Sequence, residues 1–111
     1  MTSARTISPT LIDDVVARVV ASAAPTRIIL FGSAARGDIR PQSDLDVLVV
    51  LPTAAGQGEA EERIYRGLWG LGFAVDILTV TEDDLCRHGR NPYLVLHSAL
   101  AEGREIYRAA G

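Results

Sequence analysis

The chain has 111 residues, 48% of them hydrophobic and 23% charged, with a net charge of −3, which is the profile of a soluble globular domain and not of a disordered or fibrous chain. All eleven basic residues are arginine, which excludes chemistry that depends on a lysine, such as a Walker-type phosphate loop or a Schiff base. One cysteine, Cys86, and two histidines, His88 and His97, are too few for an internal disulfide or a structural zinc site; no apolar run approaches the ~20 residues of a membrane span, and the acidic balance argues against direct nucleic-acid binding by charge.

Ser8 and Pro9 open a helix, with Asp13 and Asp14 expected near its positive end. The apolar pairs Leu11/Ile12, Val15/Val16 and Val19/Val20 recur every four residues, drawing a buried stripe that runs until Pro25. Arg27 to Phe31 is short, β-branched and apolar, a buried strand that ends at Gly32. Beyond the turn-rich stretch 36–43, Asp44 to Leu51 reads as a second strand. It puts Leu45, Val47 and Val49 on one face and Asp44, Asp46, Leu48 and Val50 on the other.

Glu59 to Leu71 has helical spacing at Ile64, Leu68 and Leu71, weakened by Gly67 and Gly70. Tyr65 and Trp69, four apart on that helix, suit either core or a partner surface. Phe73 to Val80 is a third apolar strand, interrupted by the single charge of Asp76. Thr81 and Asp84 resemble a capping box that opens a short helical turn ending near Gly89. Asn91-Pro92 opens a last helix closed by Gly103, and Arg104 to Arg108 reads as a short edge strand. The order predicts one α/β or α+β domain over residues 1–111, a sheet with helices packed on it. Met1 to Ile7 lacks the parts of a secretory signal, which makes the cytoplasm the expected compartment.

Two residues apart on a strand, Asp44 and Asp46 project from one face about 7 Å apart at the backbone and converge on a metal. An open carboxylate pair suits Mg²⁺, which fills its remaining positions with water and substrate phosphates. If Asp76 lies on the neighbouring strand, it adds a third carboxylate to hold metal or take a proton from an attacking hydroxyl. Gly32 permits close backbone approach, and the turn after it offers main-chain N–H groups and the Ser33 hydroxyl to phosphate oxygens. Arg36 has two readings: it balances charge on a leaving pyrophosphate, or it pairs with Asp38 and shapes the turn. Together these parts support in-line attack of an acceptor hydroxyl on the α-phosphorus of a nucleoside triphosphate.

The run Gly32-Ser33-Ala34-Ala35-Arg36-Gly37-Asp38, followed by Ser43-Asp44-Leu45-Asp46-Val47, resembles the signature of the DNA polymerase beta-like nucleotidyltransferases. The compact length, the Asp76 strand and the ending Glu102-Gly103-Arg104-Glu105-Ile106-Tyr107 are similar to the prokaryotic minimal nucleotidyltransferases. That resemblance implies a mixed sheet with flanking helices, Mg²⁺ and catalysis at Asp44, Asp46 and Asp76, and ATP bound through Gly32, Ser33, Arg36 and Ser43. It also implies a partner, since members of this subfamily commonly act as antitoxins to a HEPN-domain ribonuclease toxin, some by transferring AMP to a toxin tyrosine. Two alternatives stand beside this expectation: an antitoxin that neutralises its toxin by steric binding alone, and an aminoglycoside-type enzyme acting on a small molecule, which a chain this short is poorly sized to bind.

Overall fold

A computed structural model describes residues 9–31, 45–88 and 103–110. In chain order the elements are α1 (Pro9–Ala23), β1 (Arg27–Phe31), β2 (Leu45–Leu51), α2 (Gln57–Gly67), β3 (Val75–Thr81), α3 (Glu82–His88) and β4 (Arg104–Arg108). The four strands form one mixed sheet in the order β3-β2-β1-β4. β1 lies antiparallel to both β2 and β4, whereas β2 and β3 run parallel, with α2 as the crossover that a parallel pair requires. The expected final helix after Asn91-Pro92 and the Ser8 helix start lie outside the described residues.

One face of the sheet carries Ile28, Leu30, Leu45, Val47, Val49, Leu51 and Ile77, packed against Val15 and Val19 of α1 and Ala60, Ile64 and Leu68 at α2. The four-residue recurrence along α1 thus marks its buried side, as the periodicity predicts. A second, smaller cluster of Ile29, Leu48, Val50 and Val80 lies on the opposite face, with Phe31 and Leu85 against it. Fully burying a side chain of this size contributes about 1.5–3 kcal/mol, so the doubly covered strand β2 anchors the domain.

Several boundaries differ from the sequence reading. Asp13 and Asp14 fall beyond the first turn of α1, and Asp14 instead accepts from Arg18 Nε at 2.9 Å, an i,i+4 pair. α2 begins at Gln57, after Gly56 in the left-handed region, and stops at Gly67 and not at Leu71. Gly70 and Gly72, at φ 83° and 80°, turn the chain into β3, which therefore starts at Val75 rather than Phe73.

Gly67 has a packing reason that helical propensity hides. A methyl group there would meet Ser22 Oγ on α1, so the missing side chain lets the two helices approach. Their C-terminal ends are stitched reciprocally: Arg18 of α1 donates to Gly67 O and Trp69 O at 3.1 and 2.9 Å, and Arg63 of α2 donates to Ser22 O at 2.8 Å. Cationic donors here satisfy carbonyls that a helix end leaves open.

Among the described residues, the outer edge of β3 is covered by side chains of α2 and not by a strand. Gln57 Nε2 donates to Thr79 O and Thr79 Oγ1, Thr79 Oγ1 donates to Glu61, and the Ile77 N–H donates to Tyr65 Oη at 3.2 Å. Gln57, Glu61 and Tyr65 recur every four residues, one polar stripe of the helix.

Candidate active site

β1 ends at Phe31, immediately before Gly32 and Ser33, and β2 begins at Leu45, immediately after Asp44. Because β1 and β2 are antiparallel with Phe31 opposite Asp46, both ends of the 32–44 segment leave the sheet at the same place. Gly32, Ser33, Arg36, Ser43 and Asp44 themselves lie outside the described residues.

Asp46 and Asp76 are register partners across the parallel β2–β3 pair. Neighbouring strands are ~4.8 Å apart and partners in register share a face, so the two carboxylates stand side by side. They share that face with Phe31, Leu48 and Leu78, opposite the face packed by α1 and α2. Asp46 is half-buried and Asp76 exposed. A cleft of about 390 Å³ opens there, lined by Phe31, Asp46, Asp76, Ile77 and Leu78. The fully buried Leu48 lies next to Asp46 on the same strand face and gives that carboxylate a rigid base. Among the described residues no arginine forms an ion pair with Asp76.

The donors fit a hard divalent cation: oxygen ligands only, two carboxylates on adjacent paired strands, and an open side for water and phosphate. Among the described residues no group of three acidic, histidine or cysteine side chains gathers, so Asp46 and Asp76 form a pair to which the 32–44 segment adjoins. Cys86 is exposed on α3, away from this cleft's lining.

The sequence reading missed a second polar cluster, at the other end of the sheet. Glu82, the first residue of α3, accepts from Thr26 Oγ1 at 2.6 Å and from Arg27 at 3.1 Å, while Glu105 of β4 accepts two bonds from Arg108. The Thr26 hydroxyl holds the Glu82 carboxyl below its ordinary value, with Arg27 adding to this against the opposing effect of burial. Arg108 does the same for Glu105 and is itself shifted up by it. Two acids balance two arginines, and the Arg27 contacts to Glu82 and Glu105 fasten α3 and β4 to β1. A signal was present in the capping box: Thr81 Oγ1 accepts from Asp84 N–H and Asp84 accepts from Thr81 N–H, which starts α3 at Glu82.

Residues 11–98 match the family model described as "Nucleotidyltransferase domain". Among curated proteins, the chain is 33% identical over 82 residues to bifunctional uridylyltransferase/uridylyl-removing enzymes of Burkholderia thailandensis and of Bradyrhizobium sp.. The match takes in 71% of this chain but 9% of those proteins, so the chain spans about a tenth of their length. A crystal structure from Sulfolobus solfataricus, described as that of a nucleotidyltransferase, superposes with a TM-score of 0.60 at 22% identity, over 89% of this chain and 78% of that one. The last likeness is one of fold.

Proposed function

Given that the chain belongs to the nucleotidyltransferase-domain family, we propose that it is a Mg²⁺-dependent enzyme that transfers AMP from ATP to a hydroxyl, preferentially a tyrosine, of a HEPN-domain ribonuclease toxin, and so acts in the cytoplasm as that toxin's antitoxin. The observation that carries the chemistry is the side-by-side pair Asp46 and Asp76 at the end of the sheet where the Gly32-Ser33 segment departs. The acceptor oxygen attacks the α-phosphorus while its proton passes to the Asp76 carboxylate. The bond between the α-phosphorus and the bridging oxygen breaks, and pyrophosphate leaves on the opposite side. In this reading Gly32, Ser33 and Ser43 would bind the phosphates, and Arg36 would balance charge on the leaving pyrophosphate. Asp44, Asp46 and Asp76 would hold Mg²⁺, which would supply positive charge against the phosphates.

Two features favour a large acceptor over a small one. Asp76 sits on the outermost strand at the exposed lip of the cleft, and Trp69, 86% exposed, stands just before the turn that leads into that strand. A tryptophan in water is a ready anchor for a protein partner.

The test is the intact mass of the neighbouring gene's product after incubation with this protein, Mg²⁺ and ATP, beside an Asp44→Asn/Asp46→Asn control. A gain of one or more AMP units, absent with the control, is the expected result. No gain beside a stable complex would replace the enzyme with a steric antitoxin. The uridylyltransferase relatives favour a second reading of the nucleotide alone, with UTP as donor; a parallel incubation with UTP separates the two by the mass added.

A further inference from the structure

β3 is an edge strand, yet the carboxylate proposed to take the acceptor's proton stands on it. In a parallel pair, the N–H and C=O of one residue point to the same side and those of the next residue to the other. Ile77 and Thr79 therefore turn their peptide groups outward, while Asp76 and Leu78 turn theirs to β2. The outward groups are the ones α2 engages: Ile77 N–H donates to Tyr65 Oη at 3.2 Å, the phenol in turn reaches Ile77 O at 3.5 Å, and Thr79 O accepts from Gln57. One phenol thus takes the place of a fifth strand's hydrogen bonds at the residue next to Asp76. Among the described residues, the other support of Asp76 in the sheet is its register with β2.

We propose that Tyr65 is a positioning residue for Asp76: its hydroxyl fixes the edge of β3 at Ile77 and so keeps the Asp76 carboxylate level with Asp46. The inference rests on the proposed role of these carboxylates in metal binding and proton transfer. A short edge strand held on one side frays and shifts easily, and a carboxylate displaced by about 1 Å loses one to two orders of magnitude in rate. Tyr65 is not among the described residues that line the cleft. Its effect passes through the β3 backbone, and the ring stays where it is when only the hydroxyl is removed.

The test compares Tyr65→Phe with Gln57→Leu, which removes the bonds to Thr79 three residues beyond Asp76, in the full chain. The first reading is Mn²⁺-induced broadening of backbone amide NMR signals, with the metal alone as probe. In Tyr65→Phe, broadening at Asp76 and Ile77 falls relative to that at Asp46, and in Gln57→Leu the ratio is that of the wild type. The second reading is pyrophosphate release from MgATP with water as acceptor. Tyr65→Phe lowers kcat by about tenfold or more with KM for MgATP nearly unchanged, and Gln57→Leu lowers neither.

An unchanged broadening ratio in Tyr65→Phe overturns the proposal. So does an equal change in both variants, which would reduce the stripe to general support of the sheet. If the wild type shows broadening but releases no pyrophosphate, the enzymatic reading falls, and the positioning role is decided by the broadening alone.

Discussion

Gly67→Ala offers a sharp check on how α1 and α2 dock. At an ordinary position the last turn of a helix gains about 1 kcal/mol when alanine replaces glycine. Here the new methyl meets Ser22 Oγ and comes within 3.5 Å of Arg18 O and 3.6 Å of Ser22 Cβ. The Ser22 hydroxyl is not free to move, since it donates to Arg18 O at 2.7 Å. Rotating it away sacrifices a bond of about 1 kcal/mol, and leaving it in place overpacks the contact by about 1–3 kcal/mol. Set against the gain of about 1 kcal/mol, the net expectation is between no change and a loss of about 2 kcal/mol by urea denaturation. In a Ser22→Ala background the obstacle is gone and the remaining contacts are ordinary, so the same substitution becomes neutral or stabilising. The four proteins form a double-mutant cycle with a coupling of about 1–3 kcal/mol. If Gly67→Ala has the same effect in both backgrounds, the close helix approach is wrong.

Three further outcomes follow from particular contacts. Glu82 and Glu105 are held below the ordinary 4.5 by their Thr26, Arg27 and Arg108 partners, so each binds its proton less readily folded than unfolded. The stability they contribute is full above about pH 4.5 and is lost as pH falls through their folded values; urea midpoints measured downward from about pH 5 will fall less steeply for Glu82→Gln than for the wild type. Thr81→Ala removes the acceptor of the Asp84 N–H and costs about 1 kcal/mol in the same denaturation assay, whereas Thr81→Ser keeps the cap and costs less. Trp69 is the chain's one tryptophan and is 86% exposed, so its emission is that of a water-exposed indole and shifts to the blue when a protein partner covers that surface. An unshifted emission in a stable complex would move the interface elsewhere.

Much of the architecture was legible because it follows from local rules. The every-fourth-residue apolar pairs located α1, the short β-branched run located β1 with both its ends, and the Thr81/Asp84 spacing located the start of α3, since capping is decided within four residues. Alternation also assigned the faces of β2, with Asp46, Leu48 and Val50 on the side opposite Val47 and Val49. The limits of α2 and β3 were less legible, because residues 68–74 have helical and strand character alike and only the left-handed glycines at 70 and 72 decide where the chain turns.

From the residues themselves came the strand-turn-strand order, the two apolar faces and the membership of a nucleotidyltransferase motif, all of which depend on neighbours in the chain. Tertiary structure alone decided what depends on partners far apart in it. Parallel pairing of β2 with β3 is what brings Asp76 beside Asp46, thirty residues away. Helix docking turned Gly67 from a weak helix former into a contact, and the exposed edge of β3 turned Tyr65 from a choice between core and surface into a hydrogen-bonding substitute for a strand. Sequence periodicity specifies which face of an element is apolar; which backbone edge lacks a partner is a property of the assembled sheet, and that is where the remaining polar side chains found their roles.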